Sequence, residues 1–405
     1  MRDREKKTTR RTGSHSASRG NVSAGKLKYR YESFGGIIAL EEPPALVFAD
    51  RNYMRELGLK GSPVWKKRRR FLTAPTEVHF SVTNRCPVRC GHCYMDSGGP
   101  EEGELDTAGC KKMLDKLGQM GVFHAALGGG EAFARPDFLD IARHARKAGI
   151  VPNLTTNGYY MTPGTARKSR VFGQVNVSVN GLSGEHFRIA DRALRRLKKA
   201  GVRCGINCLV SRENYGKLGE IFRYAASLEL HDIEFLRYKP SGRGRNNYYA
   251  MKLTGKQYGD FFPYLMKLAE KYDVRTKIDC SFVPAVCYHN PDKKEMKRFA
   301  VYGCEAGNVL LSVFSNGEYA GCSFASRGDK KCTSGLKDIW ENSGNLNRFR
   351  NWTKHAPEPC RSCDYLDICK GGCHMVAEYE TGDFYAPDPA CPKINRLNRD
   401  RHLFK

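Results

Sequence analysis

Cys86-Pro87-Val88-Arg89-Cys90-Gly91-His92-Cys93-Tyr94 decides how the rest of this chain is read. Three cysteines share one loop, with three residues in the first gap and two in the second. The loop follows a strand-like run over residues 77–84 and precedes a helix-like segment. Thiolates are soft ligands that suit iron–sulfur clusters. A cube of four irons takes four ligands, and this loop offers three. One iron would stay open to bind and activate another molecule, as open metal positions do in catalysis. The competing reading is a zinc loop. Zinc takes four ligands from paired arms, and no fourth stands nearby.

From residue 77 onward strands and helices alternate. Strands are predicted at 78–83, 123–127, 151–155, 174–179, 203–209 and 232–238. Helices are predicted at 106–120, 136–148, 162–168, 191–200, 214–228 and 254–271. Six such units predict an α/β fold, an open, partial (β/α)6 TIM-like barrel rather than a closed eightfold one. In barrels of this kind chemistry sits at the carboxyl ends of the strands. The distinctive loops fall there: the Cys loop, Gly128-Gly129-Gly130-Glu131, Thr155-Thr156-Asn157-Gly158, Ser178-Val179-Asn180-Gly181 and the basic run from Arg237 to Gly244. Their shared placement at one rim is stronger evidence than any single motif.

The Cys loop, the aromatic Tyr94 behind it and these rim groups resemble the radical S-adenosylmethionine (radical SAM) family. The resemblance implies that Cys86, Cys90 and Cys93 hold a catalytic 4Fe–4S cluster whose open iron is chelated by SAM. One electron then splits SAM and gives a 5′-deoxyadenosyl radical. Carried over residue by residue, Gly129, Gly130 and Glu131 hold the SAM amino group. Ser178 contacts SAM, and Arg188 is a candidate for its carboxylate. Asn157 faces the cofactor or only shapes its Asn-Gly turn. Tyr94 packs over SAM or against the cluster loop. Asn180 stands where relatives commonly have Asp, so hydrogen bonding is kept and charge is lost.

A second cysteine constellation lies downstream. Cys304 is followed after twelve residues by Gly317, then after four more by Cys322. Asn316-Gly317 signals a hairpin between residues 309–314 and 319–323, which folds Cys322 back toward Cys304. Cys360, Cys363, Cys369 and Cys373 follow with gaps of two, five and three residues, and Cys391 closes the set. This pattern resembles the SPASM extension of radical SAM enzymes, whose members hold two auxiliary iron–sulfur clusters. The resemblance, which spans roughly residues 77–391, assigns Cys360, Cys363, Cys369 and Cys391 to an outer cluster. It assigns Cys304, Cys322 and Cys373 to an inner one. A fourth inner ligand stays open between Cys287, Cys280 and none. A structural zinc ribbon is the alternative for these cysteines. Cys110, Cys204, Cys208 and Cys332 read as buried small hydrophobes.

Composition sets the remaining bounds. The chain has 405 residues and 40% hydrophobic content, enough for one large domain and a smaller one. No apolar run approaches the ~20 residues of a membrane span. Residues 1–30 lack the apolar core of a secretory signal, so a cytoplasmic location is expected. There, 16 cysteines favour metal or catalysis over disulfides. The net charge of +25 invites a nucleic-acid reading. Much of it is local, however: Met1–Arg30 holds ten Lys/Arg against two acids, and Lys66–Arg70 is five basic residues in a row.

Four segments are expected: a disordered basic tail at 1–30, a small N-terminal segment at 31–75 that either packs against the barrel or docks a substrate peptide by edge pairing, the barrel at 76–280 and the Cys-rich domain with its hairpin at 281–405. The leading expectation is a peptide- or protein-modifying maturase served by an electron donor such as ferredoxin or flavodoxin. Ser323 stands where the anaerobic sulfatase maturases carry a basic Asp, which argues against that substrate. A tetrapyrrole or other small anion held by Arg237, Lys239 and Arg243 is the alternative in chemistry. A zinc-dependent nucleic-acid binder is the alternative in class.

Overall fold

The computed structural model describes residues 27–41, 44–230, 232–327 and 335–395. The chain divides into two compact units, Met1–Arg69 and Arg70–Lys405. The barrel and the Cys-rich segment therefore share one unit instead of parting near residue 280.

The first unit carries an antiparallel sheet of β1 (Lys28–Glu32), β2 (Gly35–Glu41) and β3 (Pro44–Asp50), in that order. Helix α1 (Arg51–Glu56) follows, and the Asp50 side chain caps it by accepting from the Tyr53 N–H at 2.8 Å. Ile38, Ala49, Met54, Leu59 and Trp65 form the core. Gly35 is obligatory here: any Cβ would lie 2.2 Å from the Ala49 carbonyl oxygen. β1 corrects the sequence reading, which placed residues 28–30 in the disordered tail. Its charges hid it: Arg30 and Glu32 are buried and paired to each other at 2.8 Å. With β1 added, this unit has a core of its own. The rest of the tail, residues 1–26, lies outside the described residues.

In the second unit, β4 (Glu77–Thr83), β5 (His124–Gly129), β6 (Val151–Thr156), β7 (Val175–Ser178), β8 (Cys204–Val210) and β9 (Asp232–Arg237) lie parallel in chain order. Helices α2 (Thr107–Gln119), α3 (Phe138–Lys147), α4 (Pro163–Lys168), α5 (Gly184–Lys199), α6 (Leu218–Ser227), α7 (Tyr248–Met251) and α8 (Gly255–Tyr272) connect or follow them. The six expected units are all present. α5 begins at Gly184, seven residues earlier than expected; of its first seven residues only Ala190 is buried.

Two further pieces extend the sheet. β10 (Arg275–Ile278) adds parallel to β9. The hairpin of β11 (Leu310–Val313) and β12 (Tyr319–Ala320) adds beyond β4, with β11 parallel to it. The Cys-rich segment is thus built onto the barrel sheet.

Alternation along β4 explains the layering. Val78, Phe80 and Val82 are fully buried in the main core with Leu114, Leu117, Phe138 and Ile141 of α2 and α3. Each such side chain contributes about 1.5–3 kcal/mol on burial. Glu77, His79 and Ser81 point to the opposite, inner face.

Candidate functional site

The Cys loop is fastened at its base and across its top. At the base, Cys86 N–H donates to the Gly98 carbonyl at 2.9 Å, and Gly98 N–H donates to Asn84 at 3.0 Å. Glu104 accepts from Thr83 Oγ1 at 3.0 Å and from Asn84 N–H at 2.6 Å. Across the top, the loop after β9 folds over the cysteines. Arg243 Nε donates to the Cys90 carbonyl at 3.0 Å, while its Nη1 reaches Asp96 at 2.6 Å and the Ser97 carbonyl at 2.8 Å. Ser241 Oγ donates to the Tyr94 carbonyl at 2.9 Å. Gly242 has φ +54°, and a Cβ there would stand 2.5 Å from the Cys93 carbonyl oxygen.

This clamp holds the backbone of the loop that carries the three thiols. Burial, then the charges of Glu131, Cys90 and Cys93, opposes ionisation of Cys86. Cys90 is raised by burial and by Cys93. Two groups already donate toward sulfur: Asn157 Nδ2 to Cys86 Sγ at 3.7 Å and Ser97 N–H to Cys93 Sγ at 3.4 Å. Such donors stabilise thiolates. Three clustered thiols with donors to sulfur fit a cluster that needs anionic ligands.

The glycines after β5 allow close approach of backbones. A Cβ on Gly129, at φ +118°, would meet the Thr83 carbonyl oxygen at 2.2 Å, and one on Gly130 would meet that of Arg85 at 2.2 Å. Glu131 is fully buried, and its carboxylate accepts from Thr156 Oγ1 at 2.9 Å and Asn157 N–H at 2.8 Å. Burial pushes this carboxyl up to about 7 against those hydrogen bonds. The carboxylate therefore faces the β6 rim and presents no open surface to a ligand. Through it Glu131 fixes Asn157, whose side chain shapes its turn by accepting from Tyr159 N–H at 2.9 Å and lies against Cys86 Sγ.

The other rim residues are spread out. Ser178 is exposed at the end of β7, and Arg188 is exposed on the first half of α5. Tyr94 packs its ring against Phe324, 4.9 Å between centroids. Asn180 Oδ1 accepts from Leu209 N–H at 2.8 Å, and its Nδ2 lies 3.4 Å from His92 Nε2. Beside them opens a cavity of about 430 Å³ lined by His92, Asn180, Leu209, Ser211, Asn214 and Tyr238. The Tyr238 hydroxyl is buried without a hydrogen-bond partner. Sequence reasoning missed His92, Asn214 and Tyr238 as site residues: the Cys loop is read for its thiols and the rim run for its bases, and Asn214 belongs to no motif.

The three rim bases offered to an anionic substrate are already engaged. Arg237 forms a buried two-point pair with Asp388 at 2.5 and 3.0 Å. Lys239 pairs with Asp279 at 2.5 Å, and Arg243 holds the Cys loop. This corrects the expectation that they stand ready for a ligand's carboxylates.

On the inner face His79 Nδ1 lies 3.0 Å from Ser323 Oγ, which in turn lies 3.0 Å from Ser312 Oγ. His79 Nε2 faces Glu77 at 3.7 Å, and both side chains remain over 40% accessible. Burial lowers the His79 pKa, Glu234 opposes that and Lys239 adds to it. Sequence reasoning missed His79; its one signal was an imidazole on the polar side of an alternating strand.

The second constellation separates into two groups by mutual charge. Cys360 feels Cys369, Cys391 and Cys363, and burial holds it up to about 12. Cys304 feels Cys280, Cys322 and Cys373, while burial and Cys373 raise Cys322 to about 11. Cys287 instead meets Cys369. Gly371 and Gly372 have positive φ, and Cβ atoms there would strike Trp352 and Asp388 at 2.1 and 2.5 Å. Asp388, unforeseen from sequence, accepts from Cys373 N–H at 2.9 Å. Among the described residues no three His, Cys, Asp or Glu converge as ligands of a single metal ion. A cluster holds its thiolates at its corners, further apart than one ion does. Cys110, Cys204 and Cys208 are buried as expected, and Cys332 lies outside the described residues.

Known proteins match this arrangement. A family model described as the radical SAM superfamily matches residues 80–225. Mycofactocin maturase MftC of Mycobacterium tuberculosis is 30% identical over 360 residues, spanning 82% of this chain and 88% of that protein. The chain belongs to the radical SAM superfamily. A PqqA peptide cyclase of Bradyrhizobium diazoefficiens is 27% identical over 78% of this radical SAM chain and 86% of its own length. Streptococcus suis SuiB, solved with its precursor peptide SuiA, shares the fold at a TM-score of 0.71 and 16% identity, covering 90% of this chain and 98% of its own. As a radical SAM enzyme the protein uses a 4Fe–4S cluster and SAM. Among the described residues no helix is long and apolar enough to cross a membrane.

Proposed function

We propose that this radical SAM enzyme is a peptide maturase that oxidatively modifies a side chain of a ribosomally made peptide. The observation that carries the reading is the approach of the clamped Cys loop to the Cys322 segment: Tyr94 packs on Phe324 at 4.9 Å, and the His79–Ser323 pair lies one residue beyond Cys322. It is supported by relatives whose names are those of a maturase and a peptide cyclase.

Cys86, Cys90 and Cys93 would hold the SAM cluster, with Arg243 and Asn157 fixing the loop and the Cys86 sulfur. When bound, that cluster and SAM supply a carbon radical that takes a hydrogen atom from the substrate. Gly129 and Gly130 bring backbone to SAM, and Asn180, Ser178 and the adjoining cavity receive its nucleoside. Arg188, by charge, would meet the carboxylate. Cys360, Cys363, Cys369 and Cys391 would hold an outer auxiliary cluster; Cys304, Cys322 and Cys373 would hold an inner one. His79, oriented by Ser323, would accept the proton that leaves the substrate radical, while an auxiliary cluster, when bound, would take the electron. An electron carrier such as ferredoxin or flavodoxin serves the enzyme.

The first unit would capture the peptide. β3 is an edge strand of its sheet, with Phe48 47% exposed and stacked on Phe34 at 6.1 Å. An extended peptide can add to such an edge. The tetrapyrrole reading has lost its three bases to internal partners.

The test is anaerobic co-expression with a short peptide encoded beside this chain. A mass loss of about two hydrogens, or a decarboxylation, supports the reading. An unmodified peptide in the presence of active SAM cleavage contradicts it.

A further inference from the structure

Strand alternation gives the barrel sheet an inner face unlike its outer one. Val175 and Val177 on β7, Ile206 and Cys208 on β8, and Ile233 and Phe235 on β9 are buried in the main core. The alternate positions turn inward: Thr155 on β6, Asn176 and Ser178 on β7, Asn207 on β8 and Glu234 on β9. Closed barrels fill such positions with branched apolar side chains. Here they are polar. Thr155 and Ser178 are exposed although β6 and β7 lie in the middle of the nine-stranded sheet, so this face borders open space. At the rim, Arg243 and Ser241 tie the loop after β9 to the Cys loop after β4, which makes the face a chamber.

Most of the inward groups satisfy one another. Asn176 Nδ2 donates to Asn207 Oδ1 at 2.7 Å, and Asn176 Oδ1 accepts from Gln174 Nε2 at 2.8 Å. Asn207 Nδ2 donates to Thr155 Oγ1 at 3.2 Å. Glu234 is the exception. Among the described residues it forms no ion pair, and its one side-chain hydrogen bond is the long contact from Asn176 Nδ2 at 3.4 Å. Lys277, its register neighbour on β10, turns instead to Asp232 at 3.8 Å. A carboxylate inside a barrel without a cation or donors is costly until something binds it. The chamber also begins close to the reacting centre. Asn157, against Cys86 Sγ at 3.7 Å, stands two residues after Thr155, about 7 Å on at strand spacing.

We propose that this chamber selects the residue to be modified: a side chain ending in N–H donors (amine, guanidine or carboxamide), bound by Glu234 beside the Thr155 hydroxyl. An aliphatic or aromatic side chain seated there would leave the Glu234 carboxylate shut away without a partner. A site built to hydrogen-bond its guest rejects an analogue that lacks the polar group. The inference rests on the reading of this enzyme as a peptide maturase.

The test is anaerobic co-expression of the full chain with the short peptide encoded beside it, followed by tandem mass spectrometry of the product. Wild type, Glu234→Gln and Glu234→Leu are compared, with bound iron as the folding control. In the wild-type product the lost mass maps to Lys, Arg, Asn or Gln. Glu234→Leu lowers the modified fraction about tenfold or more, the scale of one hydrogen bond to a charged group. Glu234→Gln lowers it as far when the mapped residue is Lys or Arg. It keeps most of the product when that residue is Asn or Gln, because an amide oxygen still accepts but carries no charge. A modification confined to aliphatic or aromatic residues overturns the proposal. So does a Glu234→Leu protein with wild-type iron and wild-type product. A wild type that cleaves SAM and leaves the peptide untouched would sink the maturase reading itself.

Discussion

Arg243 shows how one side chain can fix a metal loop without touching the metal. Its three donor contacts reach Cys90, Asp96 and Ser97 at once. A lysine ammonium cannot reproduce that planar fork. Arg243→Lys is expected to lower iron bound at the SAM cluster at least several-fold while leaving auxiliary iron in place, as read by iron content and EPR. At His79, replacement by Gln removes the proton acceptor but keeps the bond to Ser323. SAM cleavage should persist while product formed per 5′-deoxyadenosine falls roughly tenfold or more, a magnitude within general-base effects. Asp137 sets the pH dependence. Arg135 binds it at 2.7 and 3.0 Å and also reaches the Val82 and Leu105 carbonyls. That hydrogen bond, against burial, lowers the Asp137 pKa to about 2. Its folded-state pKa lies below the unfolded value of about 3.9, so its stabilisation is present above that value and is lost as pH falls toward 2. Asp137→Asn should cost about 1–2 kcal/mol near neutral pH and flatten the loss of urea stability between pH 5 and 3. The thiols, the glycines and Asn157 were legible because metal chemistry and tight turns restrict residue type. His79, Tyr238 and Asp388 were not, because what marks them is who faces them across the fold.

Elements deliver these residues through close backbone contacts at the rim. Gly129 brings β5 against the end of β4, with no room for a methyl group. Gly129→Ala should destabilise by roughly 2–4 kcal/mol, combining positive-φ strain with steric displacement, and should release SAM-cluster iron before auxiliary iron on warming. Calorimetry with iron release read in parallel checks this. The six alternating units could be read from sequence because apolar strands and amphipathic helices differ in period. β1 and β10 escaped notice because charged residues fill them: KYRYE and RTKI have no apolar stripe. The hairpin was foreseen from Asn316-Gly317, but its place beside β4 was not, since strand neighbours far apart in sequence leave no local trace.

At the scale of the whole molecule, the proposed function gives peptide capture to the first unit and the radical reaction to the second. Phe48→Asp on the β3 edge should therefore raise the peptide concentration needed for half-maximal modification at least tenfold. It should leave peptide-independent SAM cleavage unchanged, as measured by 5′-deoxyadenosine with and without peptide. The central claim is that Cys86, Cys90 and Cys93 together hold one cluster that opens SAM. It is tested most directly by dithionite-dependent 5′-deoxyadenosine formation in anaerobic wild-type protein and in the Cys86→Ala/Cys90→Ala/Cys93→Ala variant. The account predicts steady formation by the wild type and none by the variant, which keeps its auxiliary iron. Equal formation by both proteins, or a wild type that binds no iron, would contradict it.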